Sequence, residues 1–214
     1  MVDIIPGILE SEWSEIEAKI KLVAPFVPWV QIDVADGTMV PTTSVLTFDQ
    51  LNQLVTLDQL SNLSFEAHLL VASPEKYIHA LSDAGFKRVV AHVEAHDPRV
   101  FIDEAKFESF EVGLALDAPT NLELLEPFIE DVDYVLLMMN EAGVKDQPFQ
   151  HEQIEKIVDL HKHSSDIAIE VEGGIDARTA KLAREAGATR IVSTHYIFHD
   201  LQNIQSAIQK LGNG

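Results

Sequence analysis

The sequence predicts an α/β fold, a closed (β/α)8 TIM barrel, with residues 1–214 forming a single domain. Short apolar segments alternate with amphipathic helical patterns, which implies parallel strands joined by helical crossovers. Eight such units follow one another, as a closed barrel requires. The 214 residues and a hydrophobic fraction of 46% suit one compact barrel with a sizeable core. An open, doubly wound sheet stays the alternative, because the alternation alone does not exclude it.

The predicted strands are short apolar runs bounded by turn-forming or charged residues. They are Asp3–Ile8, Trp29–Val34, Ser64–Leu70, Arg88–Val93, Glu111–Leu116, Tyr134–Met138, Ile167–Val171 and Arg190–Val192. Helices are predicted between them where apolar residues recur with helical spacing. Examples are Glu12–Val23, Pro74–Ala84, Asn121–Ile129, His151–His161 and Ala177–Ala186.

Several helix ends carry recognisable signals. Ser11 precedes the first helical pattern as a candidate N-cap, and Ser73 precedes Pro74, which suits a first helical position. Gly85 and Gly187 each follow an alanine at a helix end, where a left-handed residue is expected.

The composition excludes several classes of partner and site. Lysine and arginine number 15 against 35 acidic residues, a formal net charge of −20. Such a charge repels polyanions, so we expect neither nucleic acid nor an anionic membrane as a partner. The absence of cysteine excludes disulfides and thiolate metal sites. The N-terminal segment does not predict a signal peptide and no apolar run is long enough to span a bilayer, so we expect a cytoplasmic protein.

Polar and small residues cluster where the predicted strands end. In a barrel of this type the chemistry lies at the carboxyl ends of the strands. The rim positions are Gly7, Gln31, Asp33, His68, Glu94, Met138, Glu172 and Thr194. Residues two apart on a strand share a face, so Gln31 and Asp33 are expected to point the same way.

The motifs along the chain resemble those of the ribulose-phosphate 3-epimerase family. They are Pro6-Gly7-Ile8-Leu9, Trp29–Gly37 with Val40-Pro41, Ala67–Val71 with Pro74–Ile78, His92-Val93-Glu94 and Glu172–Ile175. Their order and spacing extend over about nine-tenths of the chain, far beyond a single short motif. The resemblance implies a barrel of the ribulose-phosphate binding type and an isomerase that epimerises a ketopentose phosphate, or a related sugar phosphate, at C3.

The resemblance also implies catalytic and metal-binding residues. In the family one Asp removes the C3 proton and a second Asp protonates the opposite face, while two His and two Asp hold a divalent metal. Asp33 matches the first acid/base residue, and Glu172 stands in place of the second Asp. His68 matches one metal histidine, and Gln31 replaces the other, so the metal set implied is Asp33, His68, Glu172 and Gln31. Because an amide oxygen is a poor ligand for transition metals, we expect zinc, iron, manganese or magnesium to bind weakly or not at all. No organic cofactor is expected.

Substrate-binding positions follow from the same resemblance. They are Gly7, Met138, Gly143, Gly173, Gly174, Thr194 and His195. The expected partner is a small sugar phosphate, and the chain is expected to form a homo-oligomer, as the family usually does. Lys145 and Asp146 replace two loop glycines, and Thr194-His195 replaces a Gly-Ser pair, so side chains crowd a site that needs bare backbone. Weak phosphate binding is therefore expected.

The substitutions leave three functions open. The first is epimerisation of a sugar phosphate by Asp33 and Glu172. The second is similar chemistry on another small substrate, and the third is a non-catalytic paralogue with weak or no metal and phosphate binding. Retained Asp33 and His68 favour the first, whereas Gln31 favours the others. His92 and Glu94 are interpreted as structural.

Overall fold

The computed structural model describes residues 2–44, 50, 62–144 and 147–213. Its sheet contains eight parallel strands: β1 (Asp3–Ile8), β2 (Trp29–Asp36), β3 (Ser64–Leu70), β4 (Arg88–His92), β5 (Glu111–Leu116), β6 (Tyr134–Met138), β7 (Ala168–Glu172) and β8 (Arg190–Ser193). Sequential strands pair with one another, and β1 pairs with both β2 and β8, which closes the sheet. The predicted closed barrel is confirmed, and the open doubly wound sheet is wrong.

The strand bounds follow the apolar runs closely. Strands β1, β3, β5 and β6 begin and end where the sequence predicts. At the rim the structure adds polar residues to the predicted runs, since β2 continues to Asp36, β7 to Glu172 and β8 to Ser193. A short strand, Thr43–Ser44, pairs antiparallel with the end of β2. The rim of the barrel is therefore built from polar side chains on regular strands, which fixes their direction.

Helices cover the outside of the barrel. They are α1 (Trp13–Val23), α2 (Ile78–Asp83), α3 (Pro98–Phe107), α4 (Ile154–His163), α5 (Ala177–Ala186), α6 (His195–Phe198) and α7 (Ile204–Asn213). Helices α2 and α4 follow 3-10 turns at Pro74–Tyr77 and His151–Gln153. No helix among the described residues is long and apolar enough to cross a membrane.

One predicted helix is wrong, and one predicted cap is wrong. The segment Asn121–Ile129 folds as two 3-10 turns, Leu122–Leu125 and Ile129–Asp131. Pro127 lies between them, and a proline lacks the N–H that a continuing helix needs. The N-cap of α1 is Glu12 rather than Ser11, and it makes no side-chain capping bond.

Two predicted helix ends are confirmed. Gly85 has φ +76° and Gly187 has φ +122°, a region that side chains other than glycine seldom adopt.

The barrel interior holds a buried polar layer beneath the rim. Glu66 and Glu170 lie two residues before His68 and Glu172, on the same inward faces, and both are fully buried. Tyr134 Oη donates to Glu66 Oε2 over 3.0 Å. Burial raises the pKa of Glu170 well above its usual value, and the nearby charge of Glu66 adds to the effect. Arg88 and Arg190 are the register partners of Glu66 and Glu170, and both arginines contact Glu111, so the polar layer continues to the base of the barrel.

Candidate active site

Three titratable side chains converge at the mouth of the barrel. Asp33 on β2 and His68 on β3 are direct partners in the parallel register, and Glu172 ends β7. His68 Nδ1 lies 3.4 Å from Asp33 Oδ1 and 3.2 Å from Glu172 Oε2. The sequence predicts that these residues share one rim, and the structure places one ligand atom of each within 4.8 Å of the others.

Gln31 connects the two carboxylates. Its Nε2 donates to Asp33 Oδ1 and to Glu172 Oε2, each over 2.8 Å. Gln31 is fully buried, and its Oε1 has no hydrogen-bond partner in the described part of the chain. The amide NH2 therefore takes the place between the carboxylates, and it partly offsets their repulsion.

The environment separates the pKa values of the two carboxyl groups. Burial, together with the negative charge of Glu172, raises the pKa of Asp33 to about 6. Burial also acts to raise the pKa of Glu172, but the hydrogen bond and charge of His68 outweigh it and lower that pKa. Burial alone would lower the pKa of His68, yet its hydrogen bonds to Asp33 and Glu172 raise it to about 10. Two carboxyls with separated pKa values are a recurring acid/base arrangement.

Asp33, His68 and Glu172 fit a divalent metal ion. They offer one imidazole nitrogen and two carboxylate oxygens within one small space, a donor set that suits several divalent metals. Gln31 as placed presents N–H groups to this space. Turned over, it would present the orphaned Oε1 as a fourth ligand and give that atom a partner. The residues therefore fit a divalent ion when the Gln31 amide turns over.

A cleft of about 1180 Å³ opens above these groups. Nine of the residues that the sequence assigns to the site line it: Asp33, His68, Met138, Gly143, Glu172, Gly173, Gly174, Thr194 and His195. Gly7 and Gln31 do not line it. Gly7 is paired with Gln31 in the register of β1 and β2, and both lie beneath the cleft floor. The predicted site residues are thereby brought to one place, while their roles stay predictions.

An apolar wall borders the catalytic groups on one side. Ala35, Leu70 and Met138 form a buried cluster with Val40 at the end of the barrel. A β-carbon on Gly143 would meet Val40 Cβ at 2.5 Å, so this contact needs glycine.

The cleft is also lined by the backbone expected to bind phosphate, at Gly173, Gly174 and Thr194. Gly173 and Gly174 have φ values of +106° and +65°, which glycine alone adopts readily. Thr194 ends the segment after β8, and His195 begins α6 with an exposed ring. The predicted crowding by Lys145 and Asp146 falls outside the described residues.

His92 and Glu94 contact the site from behind, although the sequence interpretation makes them structural. His92 Nε2 lies 3.0 Å from His68 Nε2, and the two rings stack with centroids 5.1 Å apart. Glu94 Oε2 lies 3.3 Å from His92 Nδ1. The signal available in the sequence is a histidine at the end of a predicted strand with a carboxylate two residues later.

A family model described as "Ribulose-phosphate 3 epimerase family" matches residues 3–198. The chain belongs to the ribulose-phosphate 3-epimerase family. A Schizosaccharomyces pombe protein named ribulose-phosphate 3-epimerase is 31% identical over 214 residues, which cover 98% of this chain and 92% of that protein. A Bacillus subtilis protein of the same name is 30% identical, over 92% of this chain and 93% of that protein.

Solved structures with low sequence identity share the fold of this family member. A ligand complex of KGPDC from Streptococcus mutans has a TM-score of 0.79 and 12% identity, covering 99% of this chain and 96% of that one. The 3-hexulose-6-phosphate synthase of Salmonella typhimurium has a TM-score of 0.76 and 16% identity, covering 98% and 96%. Both confirm a barrel of the type adopted by these proteins.

Proposed function

We propose that this family member epimerises a ketopentose phosphate, or a related sugar phosphate, at C3 by proton transfer between two carboxyl groups. The observation that carries the proposal is the pairing of Asp33 and Glu172, which reach the mouth from separate strands and lie close enough to flank one carbon. Inversion requires one acid/base group on each face of the reacting carbon. Family membership supports the same reaction class.

The separated pKa values assign a role to each carboxyl. Glu172, whose pKa is lowered, is ionised at neutral pH and acts as the base that removes the C3 proton of one epimer. Asp33, with a pKa raised to about 6, carries a proton more readily and delivers it to the opposite face. In the reverse direction the roles exchange. His68 and Gln31 donate hydrogen bonds that hold the carboxylates in position.

A divalent ion held by Asp33, His68 and Glu172 would supply positive charge beside the oxyanion that develops as the C–H bond breaks. We infer that such an ion binds weakly, because its entry requires the Gln31 amide to turn and to give up two hydrogen bonds of 2.8 Å. No group in this proposal needs an organic cofactor.

The substrate class follows from the cleft. The positive-φ backbone at Gly173 and Gly174 lines the cleft, and it suits an anion held by N–H groups. His195 lines the same cleft and offers the anion a ring nitrogen as a hydrogen-bond donor. Glu141 also lines it, and its charge opposes the anion. We therefore infer a sugar phosphate bound with modest affinity.

Deuterium incorporation tests the proposed reaction directly. The unmodified protein is incubated in deuterated water with ketopentose and ketohexose phosphates and with the unphosphorylated sugars, and with manganese, zinc, iron(II) or magnesium in separate samples. NMR then follows loss of the C3 proton signal and growth of the epimer. We expect both with a phosphorylated ketose. If every sample shows neither exchange nor epimer, the enzyme proposal fails and the non-catalytic paralogue replaces it.

A further inference from the structure

His68 is held by a hydrogen-bonded chain that runs out of the cleft. The side chains of His68 and His92 are each only 1% exposed, and their Nε2 atoms lie 3.0 Å apart. Two ring nitrogens at that distance need one proton between them, with a lone pair on the other side. The direction of that hydrogen bond decides which atoms of His68 carry protons.

Glu94 fixes the direction from the far end. Its Oε1 accepts the backbone N–H of Asp117 over 3.0 Å, and its Oε2 faces His92 Nδ1 over 3.3 Å. Burial acts to raise the pKa of Glu94, but hydrogen bonds from His92, Thr120 and the backbone of Asp117 lower it to about 2. The group is therefore a carboxylate, which can only accept hydrogen bonds. His92 Nδ1 must then carry a hydrogen. A neutral His92 consequently keeps a lone pair on Nε2.

The two rings differ in what they face. His68 Nδ1 faces Asp33 and Glu172, whereas His92 faces one carboxylate and a second imidazole. With Glu94 accepting from His92 Nδ1–H and His92 neutral, the hydrogen bond between the rings runs from His68 Nε2–H to His92 Nε2.

We propose that Glu94 and His92 are positioning residues, which orient the hydrogen bond of His68 so that its Nδ1 is the atom presented to Asp33 and Glu172. The consequence for turnover rests on the proposed function, while the direction of the hydrogen bonds does not. Metal-binding histidines commonly have their second nitrogen held by such an outer partner, and loss of that partner costs about 10- to 100-fold in metal affinity or activity. Here the outer partner is a second histidine anchored by a carboxylate.

The substitution Glu94→Gln reverses the chain without changing its shape. The N–H of Asp117 selects the amide oxygen, because an NH2 group there would oppose a donor. The amide NH2 then faces His92 Nδ1 and makes that nitrogen an acceptor. Neutral His92 must move its hydrogen to Nε2, so His68 Nε2 becomes the acceptor and His68 keeps a hydrogen on Nδ1 alone.

NMR of protein labelled with nitrogen-15 in its histidine rings tests the direction, at one pH and without added metal. One-bond coupling shows which Nε2 carries the hydrogen, and coupling between the two Nε2 nuclei shows the hydrogen bond itself. We expect the hydrogen on His68 Nε2 in the unmodified protein and on His92 Nε2 in Glu94→Gln. The proposal fails if the hydrogen is on His92 in both proteins, on His68 in both, or if no coupling joins the rings.

A matched control and a kinetic measurement complete the test. Glu108→Gln changes a carboxylate that faces the exposed His79 over 3.6 Å, and it leaves the His68 pattern as it is. In turnover, Glu94→Gln lowers kcat by about 10- to 100-fold with little change in KM, and Glu94→Asp, which keeps a carboxylate, recovers part of the loss. Equal kcat in the unmodified protein and Glu94→Gln overturns the positioning role. If the unmodified protein has the expected NMR pattern but no turnover, the proposed function fails and the hydrogen-bond assignment stands.

Discussion

Thr194 lies against the α-carbon of Gly7, so that a β-carbon on residue 7 would come within 2.8 Å of Thr194 Oγ1. The two residues belong to the ends of the neighbouring strands β1 and β8. The same β-carbon would lie 3.0 Å from Val192 Cγ1. The space between these two strand ends therefore admits one side chain from this pair, and Thr194 provides it.

This relationship predicts a coupled effect of two substitutions. Gly7→Ser introduces a clash and lowers the free energy of unfolding by about 1–3 kcal/mol, the usual cost of overpacking. In the Thr194→Gly background the same change costs less, because only Val192 remains close. Urea unfolding of the four proteins in the cycle measures the coupling. Effects that add to within about 0.5 kcal/mol would show that the two positions do not share one space.

Gln31→His is expected to increase metal affinity. The substitution removes the amide NH2 that bridges Asp33 and Glu172 and supplies an imidazole ligand in its place. We expect Mn²⁺ and Zn²⁺ to bind tighter by about an order of magnitude or more, which corresponds to about 1.4 kcal/mol or more. Isothermal titration of metal-free protein measures this. Gln31→Leu is the control, since it removes the bridge without adding a ligand. Equal affinities for Gln31→His and Gln31→Leu would contradict the interpretation.

The sequence predicts the strands and the meeting of Asp33, His68 and Glu172 because both depend on local patterns. Apolar runs define buried strands, and parallel strands bring their carboxyl ends to one rim. The orientation of the Gln31 amide depends on contacts to residues as far as 141 positions away, which no local pattern contains. The stacking of His92 on His68 likewise depends on the register between β3 and β4.

The buried carboxyl of Glu170 predicts that the free energy of unfolding falls as the pH rises. The pKa of Glu170 in the folded protein lies well above its usual 4.5, so above pH 4.5 the unfolded chain releases this proton while the folded protein retains it. Glu170→Gln removes the buried carboxyl and its pH-dependent cost. We therefore expect the gain in the free energy of unfolding over the unmodified protein to be larger at pH 8 than at pH 5. Urea unfolding at the two pH values measures the difference.

Glu111→Gln is the control of opposite sign. Glu111 accepts from Arg88 Nε over 2.8 Å and pairs with Arg190. Burial acts to raise its pKa, but the two arginines outweigh burial and lower it, so its contribution to stability is present above pH 4.5 and is lost on acidification. We expect Glu111→Gln to destabilise the protein at neutral pH. A Glu170→Gln protein that is less stable at pH 8 than the unmodified one would refute the interpretation of the interior layer.

The proposed reaction makes a prediction for each carboxyl separately. Asp33→Asn and Glu172→Gln each remove a proton carrier while keeping the shape of the side chain, so each is expected to lower epimerisation by about 10²- to 10⁴-fold. A variant that retains one carboxyl is still expected to exchange the C3 proton of the epimer whose hydrogen faces that carboxyl. The two variants should therefore exchange deuterium into opposite epimers, with little inversion in either.

Separate incubations of the two epimers in deuterated water, followed by NMR, measure this pattern. Glu108→Gln is the control, since it changes a carboxylate on the outer helices beside His79. Melting temperatures near that of the unmodified protein exclude unfolding as the cause of lost activity. Epimerisation that survives Glu172→Gln would leave the protein an enzyme but would remove Glu172 from the reaction. Exchange into the same epimer by both variants would place the two carboxyls on one face of the carbon, and inversion would then need another acid/base group.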